Sequence, residues 1–460
     1  MERRRHRNTE LLKGKTMGRP GPESVSTKQQ RIAAIARQAP EMAFTSLSHH
    51  IDMDWLHEAY RRTRKDGATG IDGQTAKDYE ANIEENLRSL LDRAKSGERY
   101  KAPPVRRVYI PKGDGGTRPV GIPTFEDKVL QRAVVMVLEP IYEQDFLDCS
   151  YGFRPGRTAH QAVQAGRERL MSRGGGWVVE VDIRKFFDTL DHRHLREILE
   201  RRVRDGVIRR LIGKWLNAGV MESGCHIRPE TGTPQGGVIS PLLANIYLHE
   251  VFDVWFERQV KPVMKGEAFL IRYADDLIAG FKLESDARRV LAVIPKRLEK
   301  YGLAHHPEKT RLVDFRKPKE PDDSGDKGSR SFDMLGFTFY WAKSLKGNWV
   351  VKQKTSKGRL KQALSRVKEW CKANRHRPIE EQQQALAQKL RGHYGYYGIT
   401  GNSARITKFR YEVNKLWRKW LSRRSQKSRL SWEAFNRLLI RYPLPPPIAI
   451  HSVCRHAANP

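Results

Sequence analysis

The chain has 460 residues, is 38% hydrophobic, and sets 86 Lys and Arg against 53 Asp and Glu for a formal net charge of +33. That size and apolar share support two or three domains with buried cores, and the charge draws polyanions, nucleic acid first, with a ribosome-like or membrane-surface protein left open on charge alone. There is no apolar run near the roughly 18 residues of a membrane span, no apolar core behind the Arg-rich start "MERRRHRNTELLKGK", and no C-x-x-C pair among Cys149, Cys225, Cys371 and Cys454, which excludes a transmembrane, a secreted disulfide-bonded or a structural-zinc protein and fits a reducing cytoplasm.

In chain order, residues 1–45 are basic and polar and read as a flexible arm. Residues 46–100 carry helical patterns. Residues 101–125, with "VRRVYIPKGDGGTRPVGIP", read as strand, Gly-rich turn, strand. Helices are expected to about 170, a buried strand in "GGGWVVEVDIRKFF", and helices again to 218. "GTPQGGVISPLLANIYLHEVFDVW" opens as a Gly-rich turn and continues as an apolar helix. A hairpin follows in "FLIRYADDLIAGF", then a helix at 284–301, a loop at 316–331 and a strand in "SFDMLGFTFYW". From about 355 the pattern is helical and strongly basic. No internal repeat is present.

The hairpin carries two adjacent acids, Asp275 and Asp276, between apolar runs. A solvated acidic turn is the ordinary explanation, because Asp is depleted in strands and common in turns. A third acid, Asp182, follows Val178, Val179 and Val181 at a strand end, where a turn residue is again the ordinary alternative. A charge ending a buried strand is costly unless paired or metal-bound. If the two strands were neighbours, the three carboxylates would converge and require cations. Mg²⁺ takes such hard oxygen ligands, and two ions about 3.5–4 Å apart form the clamp of phosphoryl-transferring polymerases. Spacing alone does not establish that convergence.

"YADD" (273–276), with "VDIRKFFD" and "TPQGG" upstream, resembles the palm of a reverse transcriptase. "IPKGDGGTRPVGIPTFEDKVLQRAVVMVLEPIYEQDFLDCSYGFRPGRTAHQAV" is similar to the fingers and early palm of group II intron reverse transcriptases, and "GATGIDGQT" (67–75) to their additional N-terminal motif. "GLAHHPEKTRLVDF" and "FDMLGFTFYW" resemble the motifs after the catalytic hairpin, and "LRGHYGYYGITGNS" (390–403) the maturase-specific thumb, domain X. The series runs in the family's order over roughly residues 50–440. It implies an α+β right-hand polymerase followed by a helical thumb: fingers and palm at 46–340, thumb and domain X at 341–425, and a DNA-binding-like segment at 426–460.

The resemblance also implies roles. Asp182, Asp275 and Asp276 would be the catalytic metal ligands, holding two Mg²⁺ ions, with Mn²⁺ as an alternative. Lys112 and Arg118 would grip the incoming nucleotide, although alone they read as an ordinary charged hairpin. Phe187 would press on the sugar C2′ and exclude a hydroxyl; its alternative is a core Phe beside Phe186. Gln235 would lie near the nascent base pair. Lys309 would sit near the pyrophosphate as a general acid or charge stabiliser, or else be a solvated lysine. Tyr273 and Ala274 would support the site.

Residues 401–430 hold ten Lys or Arg and one acid. Phe409, Val413, Leu416, Trp417, Trp420 and Leu421 share one helical face and read as core rather than as a base-stacking platform. Arg418, Lys419, Arg423 and Arg424 are the candidate RNA contacts, with the arm at 3–19 as a second candidate. "RYPLPPPIAIHSV" is too proline-rich for a helix and is expected as an extended strap. The absence of paired C-x-x-C elements predicts no HNH endonuclease, and so priming from an existing nick or a replication-fork end. The expected partners are the intron RNA, an RNA template with its DNA primer, target DNA and dNTPs, without a membrane; the oligomeric state is open between monomer and dimer. The leading expectation is an RNA-directed DNA polymerase that also assists splicing and mobility of its intron. Two alternatives stand beside it: a domesticated reverse transcriptase of host defence or a CRISPR locus, and a non-enzymatic splicing cofactor.

Overall fold

A computed structural model of the chain describes residues 24–96, 99–111, 116–222, 225–227, 232, 236–318, 330–424 and 430–451. Four helices open it: α1 (Val25–Gln38), α2 (Met53–Arg62), α3 (Ala76–Glu80) and α4 (Ile83–Lys95). Their starts follow local chemistry. Ser24, Asp52 and Thr75 each accept a hydrogen bond from a first-turn N–H, and Thr75 and Asp78 close a capping box. Next come β1 (Val105–Pro111), β2 (Thr117–Ile122), α5 (Phe125–Asp145), α6 (Ala159–Ser172) and β3 (Trp177–Asp182). α1 lies inside the stretch expected to be a flexible arm. It is helical because Ile32 and Ala36 are buried where α1 packs on α5, while residues 1–23 lie outside the described residues.

The order continues with α7 (Phe186–Thr189), α8 (His192–Arg202), α9 (Gly206–Asn217), β4 (Val220–Glu222), β5 (Cys225–Ile227) and α10 (Ser240–Leu248). The fingers sheet runs β2-β1-β4-β5. The "GATGIDGQT" segment is clipped to it: Arg106 donates to Thr69 O (2.9 and 2.6 Å) and Lys128 to Ala68 O (2.6 Å).

The palm adds β6 (Ala268–Tyr273), β7 (Asp276–Phe281), α11 (Glu284–Glu299) and β8 (Arg311–Asp314), giving a sheet ordered β6-β7-β3-β8 with every pairing antiparallel. Side chains alternate across it with period two. Val179, Val181, Leu270, Leu277 and Ala279 join the main core, whereas Val178, Phe269, Ile271 and Ile278 join a second core on the opposite face. That second core also takes β9 (Phe332–Met334), β10 (Phe337–Lys343) and β11 (Trp349–Thr355), which form a sheet of their own.

The thumb is α12 (Lys357–Ala373), α13 (Ile379–Tyr397), α14 (Ser403–Leu421) and α15 (Trp432–Arg441) around a third core. Trp417 and Trp420 are buried in it, and Trp417 Nε1 donates to Gln382 Oε1 (3.0 Å). The tryptophan stripe is therefore core. In the Pro-rich strap His451 bridges to Ile399 and stacks on His160 of α6 (ring centroids 3.8 Å apart), so it ties thumb to palm. Among the described residues no helix is long and apolar enough to cross a membrane.

One charge lies inside the palm sheet. Arg272 of β6 is fully buried, and its guanidinium donates five hydrogen bonds. Two go to the Asp253 carboxylate (2.7 and 2.6 Å), one to Asn245 Oδ1 (2.8 Å), one to Ala274 O (3.2 Å) and one to Ser150 Oγ (2.7 Å). Asp253 arrives on a π-helical turn, His249–Asp253, that continues α10. Burial works to raise the Asp253 carboxyl, but Arg272 and His249 together more than offset this and hold it below its ordinary 3.8. A depressed carboxyl contributes stability that is present above the unfolded value and lost as pH falls through the folded one.

Removing one partner of a buried pair strands the other charge, so Asp253→Asn should cost about 3–5 kcal/mol of palm stability at neutral pH. It should also flatten the loss of stability seen in acid below about pH 4, near the ordinary Asp value. Denaturant unfolding across pH reads both effects; a neutral-pH loss under about 1 kcal/mol would show that the pair is not what holds this region.

Candidate active site

The pairing of β3 with β7 sets Asp182 directly opposite Asp276. Tyr273 pairs with Asp276 across the β6–β7 hairpin, leaving Ala274 and Asp275 as its two-residue tip. Ala274 has φ +55°, a conformation that non-glycine residues seldom adopt. Its surroundings impose it. Arg272 holds the Ala274 carbonyl, and Gly152 lies so close that a Cβ there would stand 2.4 Å from Ala274 N. Asn245 in turn donates to Gly152 O (2.6 Å).

The three aspartates feel one another. Burial in the cleft floor pushes the Asp276 carboxyl up to about 6; the Leu335 N–H, which donates to its Oδ2 (3.0 Å), opposes this, and the charges of Asp275, Glu180 and Asp182 add to it. Asp275 is also raised, by burial first and by Asp182, against the lowering influence of Arg118. Lys309 Nζ lies 3.4 Å from Asp182 Oδ2. Arg118 on β2 and Lys309 after α11 thus bring positive charge to the acids from two sides. Among the described residues no three His, Cys, Asp or Glu side chains are preassembled as a metal cage. The set still fits hard divalent cations: three oxygen-donor side chains are drawn together at adjacent register positions, and burial, with their mutual repulsion adding to it, raises two of them.

The "FF" pair divides its work. Lys185 at φ +47° precedes the short α7. Phe186 is buried in the main core; Phe187 is partly buried, packs against the same core and lies edge-to-face on Phe186, with ring centroids 5.3 Å apart. Lys112 and Gln235 lie outside the described residues. The glycines flanking Gln235 are placed: the Gly232 N–H donates to Leu190 O (2.8 Å), and a Cβ on Gly232 would lie 2.8 Å from Phe187 O. Gly236, at φ +115°, approaches β2 so closely that a Cβ would lie 2.6 Å from Gly121 O.

The four basic thumb candidates separate in pairs. Arg418 donates to Leu430 O (2.8 Å) and lies over the Trp432 ring, while Arg424 donates to Arg375 O (2.7 Å) and Arg377 O (2.5 Å). Both hold thumb connections together. Lys419 and Arg423 are exposed, Arg423 resting against the Trp420 ring. The arm at 3–19 lies outside the described residues. The residues that sequence reasoning missed are Arg272, Asp253, Asn245 and Ser150, which hold the hairpin. The available signal was an arginine inside the apolar strand "AFLIRY".

Residues 110–339 match the reverse transcriptase (RNA-dependent DNA polymerase) family, and residues 360–438 match the group II intron maturase-specific domain. Protein YkfC of Escherichia coli is 39% identical over 302 residues, covering 58% of this chain and 78% of that protein. The group II intron-encoded protein LtrA of Lactococcus lactis is 39% identical over 224 residues, 48% of this chain and 37% of LtrA. Nuclear intron maturase 2 of Arabidopsis thaliana is 30% identical over 177 residues, 30% of this chain and 24% of that protein. The alignment with LtrA thus spans little more than a third of its length. Divalent metal use is general among reverse transcriptases. The chain belongs to the group II intron reverse transcriptase family, RNA-directed DNA polymerases joined to a maturase-specific domain.

Proposed function

We propose that the chain copies an RNA template into DNA from a primer 3′-hydroxyl and binds its intron RNA to assist splicing and mobility. The observation that carries this is the register: Asp182 opposite Asp276, Asp275 at the hairpin tip, Arg118 and Lys309 at the margins. In the reaction the primer oxygen bonds to the nucleotide α-phosphorus, and the bond to the leaving pyrophosphate breaks. Asp182, Asp275 and Asp276 would hold two Mg²⁺ ions, or Mn²⁺, which when bound stabilise charge on the attacking and leaving oxygens. Arg118, with Lys112, grips the triphosphate. Lys309, held beside Asp182, would meet the pyrophosphate as charge stabiliser or proton donor. Phe187 presents a partly buried ring, packed against the main core, that would exclude a 2′-hydroxyl, and Gln235 would serve near the nascent pair.

The maturase-specific domain and the intron-encoded relatives support an intron RNA partner. Lys419 and Arg423 are exposed thumb cations placed to meet phosphate, whereas Arg418 and the also exposed Arg424 donate to backbone carbonyls and shape the surface that presents them. Target DNA would engage the C-terminal segment, 426–460.

With Mg²⁺, dNTPs and an RNA template, the chain should extend a DNA primer, and Asp275→Ala should lower the rate by about a hundredfold or more, the scale of losing one preorganised charge contact. Filter binding on the same preparation should leave RNA affinity nearly intact; equal loss of both would make the aspartates scaffold. Phe187→Val should narrow dNTP-over-rNTP discrimination by about tenfold in single-nucleotide insertion, and an unchanged ratio would return Phe187 to the core. Lys419→Gln with Arg423→Gln should flatten the salt dependence of RNA binding by up to about 0.7–0.9 in log–log slope per lost contact. An unchanged slope in the folded variant would remove this surface from the RNA interface.

A further inference from the structure

Phe153 holds a backbone that aromatic residues avoid, φ +58°, and its side chain is 53% exposed. A bulky residue in the left-handed region stores strain, and it stays there only where its surroundings over-determine it. They do so on both sides. Before it, the Tyr151 N–H donates to Arg272 O (2.8 Å), Gly152 O accepts from Asn245 (2.6 Å), and Gly152 abuts Ala274 of the catalytic hairpin. After it, Arg154 is buried against Glu143 and donates to Leu147 O (2.8 Å) and Ser150 O (2.9 Å). The neighbours are locked into the hairpin's own support, and the phenyl ring joins none of the three cores. It faces the ring of Tyr273, 6.4 Å away, and Tyr273 pairs with Asp276.

We propose that Phe153 is a nucleic-acid contact: with Tyr273 it forms an uncharged floor on which the primer–template duplex packs beside the reacting end. The chemistry of the spot favours a ring. A cation placed next to Asp182, Asp275 and Asp276 would pair with them, and an acid would repel the backbone. A neutral aromatic meets base faces and sugars without either effect, and it does so regardless of sequence, as template copying demands. The strained backbone has its reason here, because it keeps the ring out of the cores, exposed, and beside Tyr273 at the hairpin. This inference rests on the polymerase reading above.

The test uses the full chain with an RNA template and DNA primer, measuring the dissociation constant of the duplex without dNTP, then primer extension. Phe153→Ala should weaken duplex binding by about tenfold, as loss of a base–aromatic contact does, while the KM for dNTP changes little and Phe153→Tyr behaves as wild type. Phe153→Gly should show the same weakening with an unchanged or higher Tm, because glycine accepts the left-handed backbone. Wild-type binding by the Ala and Gly variants would overturn the inference, and so would a Tm lowered by several degrees in Phe153→Gly, which would make the ring structural. If the wild-type chain neither binds the duplex nor extends the primer, the polymerase reading itself falls. Normal wild-type extension with indifferent Phe153 variants removes only this contact.

Discussion

A guanidinium enclosed in the palm sheet is the constraint on which the β6–β7 hairpin and its acidic tip depend. Burying an ion costs several kcal/mol unless its partners are well placed. Arg272 meets this by spending all five donors on four different parts of the chain: Ser150, Asn245, Asp253 and Ala274. Any slip of β6 against those segments would leave donors unpaired in a dry interior. The register of β6 is thereby fixed, and through β7 so is the pairing of Asp276 with Asp182. A one-residue slip would turn those carboxylates to the opposite face. The hairpin tip gains from the same bonds, since Ala274 keeps its left-handed turn only while Arg272 holds its carbonyl and Gly152 leaves it room.

The charge of the chain is distributed around that point. The net +33 favours polyanions at long range, yet the hairpin tip gathers Asp182, Asp275 and Asp276, with Arg118 and Lys309 bringing positive charge toward them. In the thumb the division is finer. Arg418 and Arg424 turn to backbone carbonyls of neighbouring connections, and this fixes the surface on which Lys419 and Arg423 stay exposed.

Much of this was legible in the sequence because it is local. Strand–turn–strand at 101–125, the buried strand ending at Asp182 and the hairpin at 269–281 follow from alternation and turn residues, and the tryptophans of α14 from helical spacing. What was not legible depends on partners distant along the chain. Arg272 inside an apolar strand was visible, but Ser150 lies 122 residues from it and Asp253 lies 19. Arg418 and Lys419 look alike in sequence, and only the placement of Leu430 and Trp432 separates them. Phe186 and Phe187 could exchange roles on any linear pattern; the left-handed Lys185 decides how α7 turns them. The helix at 25–38 was masked by its basic composition, since its two buried residues gain their value only from α5.

The thumb reaches Asp276 of the candidate site by a short route. Tyr396 on α13 donates its hydroxyl to Leu335 O (2.8 Å), and the Leu335 N–H donates to Asp276 Oδ2 (3.0 Å). Leu335 has φ +52° and is followed by Gly336 at φ +79°, so the turn joining β9 to β10 is tightly specified. At Gly336 the left-handed backbone favours glycine, and a Cβ there would lie 2.9 Å from the Tyr397 hydroxyl, which would have to shift. Two consecutive thumb tyrosines therefore clamp the two residues of the turn that touches Asp276. That bond works against the burial which raises the Asp276 carboxyl, and so favours its charged form. A thumb that moves away from this turn takes with it a group that keeps the carboxylate ionised. Docking of α13 on the palm and readiness of the acidic site are in this way parts of one hydrogen-bonded chain, and the domain that carries the maturase match is physically joined to the chemistry of the palm.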